Sequence, residues 1–96
     1  MIRSTARVTT DRAERYVAQL CKHFAHKVPA HWDETGGHAE FAWGTCTLVA
    51  TPEAMLLTAE AADGEGLDRI EYVVRDHTER FGGRDGLSVE WHRATD

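Results

Sequence analysis

The chain has 96 residues, 42% of them hydrophobic and 28% charged, with a formal net charge of -5 and a mean hydropathy of -0.47. That length supports a single core that removes roughly two thirds of the unfolded surface from water, and the composition lies outside the disordered and membrane classes. Overall acidity argues against nucleic acid as a partner, and no apolar run approaches the roughly 20 residues of a bilayer span.

Met1 to Arg7 lacks the apolar stretch of a secretory leader, so a cytoplasmic location is expected. In that compartment Cys21 and Cys46 are expected to be free thiols. No Cys-x-x-Cys and no four-ligand spacing suggests a structural zinc. The charge is uneven: residues 1–31 hold six basic groups against two acids, and the remainder five against fourteen. The first helix is therefore a basic element on an acidic body, either attracting an anionic ligand or neutralised by the second half.

In chain order, Ser4 to Thr9 reads as a short strand with Ala6 and Val8 on one side. A helix follows, opened by a capping box of Asp11 and Glu14. Its apolar face is Ala13, Val17, Leu20, Cys21, Phe24 and Val28, and Pro29 stops it. Pro29 to Gly37 reads as an acidic loop. Three strands then alternate with period two, marked by Phe41 and Trp43, by Cys46, Leu48 and Ala50, and by Met55, Leu57 and Ala59. Their joints are Gly44 and the Thr51-Pro52-Glu53 turn.

Asp63 to Gly66 opens a second helix with the stripe Leu67, Ile70, Val73, Val74 and Phe81. Gly82-Gly83 is expected to end it with left-handed backbone. Leu87, Val89 and Trp91 alternate as a last strand. The order β-α-β-β-β-α-β predicts an α+β two-layer sandwich, with a mainly antiparallel sheet and both helices on one face.

The run Cys21-Lys22-His23-Phe24-Ala25-His26-Lys27 concentrates a thiol, two imidazoles and two ammonium groups in about two helical turns. At roughly 100° per residue, Cys21 and Phe24 face the core, His23 flanks it, and Lys22 and His26 point away. Cys21 and His23 then cannot share an ion, whereas His23 and His26, at i and i+3, can. In the second helix His77 lies among Ile70, Val74 and Phe81. There it is either a neutral imidazole suited to a metal or a core histidine bonded to a backbone carbonyl or to Tyr16.

His31 and His38 flank the acidic loop with Asp33 and Glu34, and Arg80 is expected to pair with Glu79 or Asp76 or to face an anion. No nucleophile-base-acid set is visible: Ser4 and Ser88 lie in strand patterns, and no glycine-rich phosphate loop precedes a helix. No catalytic residue is assigned, and an enzyme is the weaker reading.

The chain also resembles DUF2218, a small bacterial family of unknown function. The resemblance rests on Thr5-Ala6-Arg7-Val8, Arg15-Tyr16, Gln19 to Lys27, Gly44-Thr45-Cys46, His77-Thr78-Glu79-Arg80-Phe81 and Val89-Glu90-Trp91. It spans nearly the full length, which implies one domain over residues 1–96. It implies no activity. Related domains attached to siderophore-interacting flavin reductases point toward iron handling by association.

The leading expectation is a binding module for iron or an iron-bearing ligand, a ferric siderophore or haem. His23 and His77 would meet between the helices, His26 would be an outer ligand, and Lys22, Lys27 and Arg80 would attract anionic groups. Its partner would be a small anionic iron ligand or a siderophore-interacting reductase. The second expectation is a non-catalytic interaction domain, with structural histidines and edge strands suited to a homodimer. The third is a thiol-dependent reductase using Cys21 and Cys46.

Overall fold

The computed structural model describes residues 1–94. Its elements are β1 (Ile2–Thr9), α1 (Ala13–Phe24), β2 (Ala30–Asp33), β3 (Gly36–Phe41), β4 (Gly44–Ala50), β5 (Ala54–Ala61), α2 (Gly64–Phe81), a 3-10 turn (Gly83–Asp85) and β6 (His92–Arg93). The strands form one antiparallel sheet in the order β2-β3-β4-β5-β1-β6, with both helices on one face. The α+β sandwich expected from the sequence is the fold observed.

Alternation explains which face is which. Ser4, Ala6 and Val8 of β1, Cys46 and Leu48 of β4, and Met55, Leu57, Ala59 and Ala61 of β5 are buried beneath the helices. Val17, Leu20 and Cys21 of α1 and Leu67, Ile70 and Val74 of α2 meet them with no exposure to solvent. Each such side chain contributes roughly 1.5–3 kcal/mol by leaving water, which is why the 3.6-residue stripe prevails over individual helix propensities. No helix among the described residues is long and apolar enough to cross a membrane.

Several local expectations are corrected. Asp11 and Glu14 form no capping box, since the residue before α1 is Arg12 and no side chain caps the helix. Thr10 Oγ1 instead accepts from Arg12 N at 3.0 Å, and this local turn delays the helix start. Residues 30–33, read as loop, are strand β2. Asp33 Oδ1 accepts from Thr35 N (2.8 Å), Thr35 Oγ1 (2.6 Å) and Gly36 N (3.3 Å), closing a tight hairpin in which Asp33 faces Gly36. The turn formers and acids that suggested a loop are the turn itself.

Trp43 lies in the Ala42-Trp43 turn rather than in a strand, and Gly44 begins β4 opposite Phe41. Gly44 has φ 150°, and a side chain there would meet the Glu60 carbonyl and the Ile70 side chain. Residues 87–91 are not a strand. Leu87 and Val89 are buried, but the segment is strapped to α2: Val89 N donates to Glu79 Oε2 at 3.1 Å, and Trp91 Nε1 to the Glu71 carbonyl at 3.0 Å. The period-two pattern there reports burial without a sheet ladder.

Gly82 ends α2 with φ -102°, so left-handed backbone is not its role. It is buried because Leu87 folds back onto it, occupying the space where a Cβ would stand. Gly83 has nothing within 4 Å of a Cβ position. The two neighbours therefore separate in a test by urea unfolding. Gly82→Ala is expected to lower stability by about 1–3 kcal/mol through overpacking, whereas Gly83→Ala changes it by less than about 0.5 kcal/mol. Equal effects at the two positions would contradict this packing.

Candidate functional site

The opening run ends in a different geometry from the one a continuous helical wheel gives. Helix α1 stops at Phe24, and the next residues wind tightly: His26 N donates to the His23 carbonyl at 3.3 Å, Lys27 N to that of Phe24 at 3.0 Å, and Val28 N to the same oxygen at 2.9 Å. This turn carries His26 and Lys27 round to the side on which His23 and Phe24 stand, so His26 does not point away from the site as expected. Together with Val28, Phe41, Trp43, Val73 and His77 they line a groove of about 350 Å³. That lies at the small end of the roughly 300–1,000 Å³ usual for small-molecule sites.

The floor is aromatic. Phe24 sits edge-on to Phe41, with ring centres 5.2 Å apart, and Phe41 stacks within 5° of parallel on Trp43 at 5.9 Å. Arg69 lies over the outer side of Trp43, 5.5 Å from its ring centre. These aromatic positions read in the sequence only as strand and core residues. Their shared role at one site depends on the β3–β4 turn, which local periodicity does not reveal.

The two helices bring His23 and His77 together, with ring centres 4.5 Å apart and planes tilted by 44°. Phe24 and Phe81 stand edge-on to the pair: Phe24 is 5.6 Å from His77, and Phe81 is 5.5 Å from His23. His77 Nδ1 lies 2.7 Å from the Val73 carbonyl. A carbonyl can only accept, so Nδ1 carries a proton and Nε2 of the neutral ring holds the free lone pair. Metal-ligating histidines are commonly oriented in this way by their other nitrogen. Tyr16 is not the partner of His77; its hydroxyl donates to Asp85, which also lies 3.6 Å from Arg12.

His23 is exposed, but the groups packed against its ring strip away part of its water and lower its pKa from the ordinary imidazole value of 6.5, and the nearby charges of His77, His26, Lys27 and Arg80 lower it further. The other sequence candidates are placed differently. Lys22 is exposed and outside the groove lining, and Arg80 pairs with Asp76 at 3.4 Å. Among the described residues no three His, Cys, Asp or Glu side chains converge to hold a metal ion.

Cys21 and Cys46 are fully buried free thiols. Cys21 Sγ rests where a side chain of Gly37 would stand. Burial pushes the Cys21 thiol up to about 11 and that of Cys46 up to about 12. Burial thus disfavours both thiolates near neutral pH, which counts against a thiol-dependent reductase.

The sequence model of DUF2218, described as an uncharacterised protein conserved in bacteria, matches residues 5–92. No curated protein is significantly similar to the chain. Among solved structures, the NMR structure of PA4090 from Pseudomonas aeruginosa is similar at 35% identity. The match covers 96% of each chain with a TM-score of 0.81.

The His23 environment makes a pH prediction. Since its folded pKa is depressed, the unfolded chain takes up this proton first as pH falls. The resulting stability is intact above 6.5 and is lost as pH drops through the folded value. An NMR titration should place the His23 midpoint below 6.5, and His77→Phe should move it upward. A midpoint unmoved by that substitution would contradict the coupling.

Proposed function

The chain belongs to the DUF2218 family, and from that premise we propose that it is a non-enzymatic binding module whose groove takes an iron-bearing anionic ligand, a ferric siderophore or haem. The observation that carries this reading is the approach of His23 and His77 at the mouth of an aromatic groove. Three imidazoles and the Lys27 ammonium line that groove, and no carboxylate lies among its described lining residues. Although the whole chain is acidic, the local field there favours an anion.

Geometry limits what the imidazoles contribute. Two rings bound to one ion through bonds of roughly 2.0–2.1 Å place their centres between roughly 4.5 and 6.5 Å apart, as the angle at the metal opens from about 90° to 180°. The separation of 4.5 Å fits the narrow end, where the two donors occupy adjacent positions. With no third protein ligand converging, the iron would arrive already chelated. A siderophore complex would keep most of its own oxygens. Haem would be held by one ring, for which His77 Nε2 is oriented. Lys27 and His26 then face the ligand's anionic groups, and Phe24, Phe41 and Trp43 its apolar framework. A siderophore-interacting reductase is the partner class proposed to exchange such a ligand with this domain.

A second reading is supported by the same His77 bond to the Val73 carbonyl, since one satisfied nitrogen is what a structural histidine needs. Trp32, 40% exposed on edge strand β2, would then mark a homodimer contact.

Titration of the purified protein with haemin, ferric catecholate and ferric hydroxamate complexes separates the two. A saturable absorbance change with at least one of them, weakened about tenfold or more by His77→Ala, is the expected result. No binding of any, in a protein that sediments as a dimer and loses thermal stability on His77→Ala, would overturn the first reading in favour of the second.

A further inference from the structure

On the helix-free face of the sheet the strand registers align His31 of β2, His38 of β3, Thr47 of β4, Thr58 of β5, Thr5 of β1 and His92 of β6 in one continuous cross-strand row. His31 and His38 are direct partners in this row. Their rings lie 5.8 Å apart, centre to centre, and within 25° of parallel. His31 is exposed and His38 half-buried. They border a shallow depression of about 440 Å³ that is separated from the aromatic groove by the sheet and α1.

Three features distinguish this pair from two solvated histidines. First, 5.8 Å lies within the span of roughly 4.5–6.5 Å set by two imidazoles on one ion. Second, His38 Nδ1 is 3.1 Å from Thr47 Oγ1, so a neighbouring strand fixes its ring and leaves Nε2 as the outward nitrogen. Third, Asp33, two residues after His31 and on the same side of β2, holds a negative charge beside the pair. Hydrogen bonds from Thr35 chiefly keep its carboxyl below the usual range, with His31 a smaller contributor. Those bonds engage Oδ1 and leave Oδ2 unused.

We infer that His31 and His38 form a second site, independent of the groove, that binds a late first-row divalent cation through one nitrogen from each ring. Among such ions Cu²⁺ binds nitrogen donors most tightly, so it is the probe of choice. Because Asp33 does not converge with the rings as a third ligand, water fills the remaining positions and Asp33 contributes charge. Paired strands hold the two backbones in place, and the exposed His31 ring turns about its own side-chain bonds, out of the near-parallel arrangement, to bring a nitrogen onto the ion beside His38 Nε2.

The experiment adds substoichiometric Cu²⁺ to the full chain and follows paramagnetic broadening of all six histidine ring signals by NMR. His31 and His38 are expected to broaden first and together. His38→Ala should abolish the broadening at His31, Thr47→Val should weaken binding about tenfold, and His77→Ala should leave it unchanged. Both substituted histidines are half-buried, so a cooperative melting transition of each variant first establishes that it is folded. Broadening that begins at His23 and His77, spreads equally over all six rings, or persists at His31 in His38→Ala would overturn the site. Failure of the groove to bind an iron-bearing ligand leaves this result untouched, because the two sites use different residues.

Discussion

The Phe24 ring is the contact on which both the core and the groove depend. It is the last residue of α1, is 4% exposed, and stands edge-on to Phe41 of β3 and to His77 of α2. Three elements thus meet at one ring, closing the apolar layer on one side and forming the groove floor on the other. Edge-to-face aromatic pairs each add roughly 0.5–1.5 kcal/mol beyond simple burial, and they fix orientation as well as distance. Orientation matters here because His23, the preceding residue, is carried into contact with His77 by the same helix end.

That arrangement also sets the chemistry. The carbonyl of Val73 holds His77 with its outward nitrogen unprotonated when neutral, and partial desolvation favours neutral His23. The fixed positive charge in the groove that can attract an anion is that of Lys27. The acidic residues are directed elsewhere: Asp76 pairs with Arg80, Asp85 with Tyr16 and Arg12, and Asp68 and Glu71 with Arg93. The net charge of the chain therefore misrepresents the field inside the groove.

Both helices and the meander were legible in the sequence because burial of one face imposes its period directly. Strand β2 was not legible, since its hairpin is built from the acids and turn formers that ordinarily mark a loop. Leu87 and Val89 show the converse: their alternation is real, but it comes from packing against α2. The site was half legible. His23 and His77 could be placed on inward-leaning helix faces, yet their contact is a long-range consequence of two helices sharing a sheet. His26 was assigned outward because the wheel ran past Phe24, where the helix gives way to a tighter turn. Phe41 and Trp43 gave no local sign of a shared role.

The central claim is that His77 presents a free Nε2 to a ligand in the groove while its Nδ1 stays bonded to the backbone. Ring-nitrogen NMR of histidine-labelled protein tests it directly, first alone and then with haemin or a ferric chelate. The account predicts that the neutral ring of the free protein is the tautomer with the proton on Nδ1 and none on Nε2. On ligand addition the Nε2 signal should shift or broaden while the Nδ1 proton remains bonded. A neutral His77 ring with its proton on Nε2, or a His77 signal unchanged under saturating ligand, would contradict it.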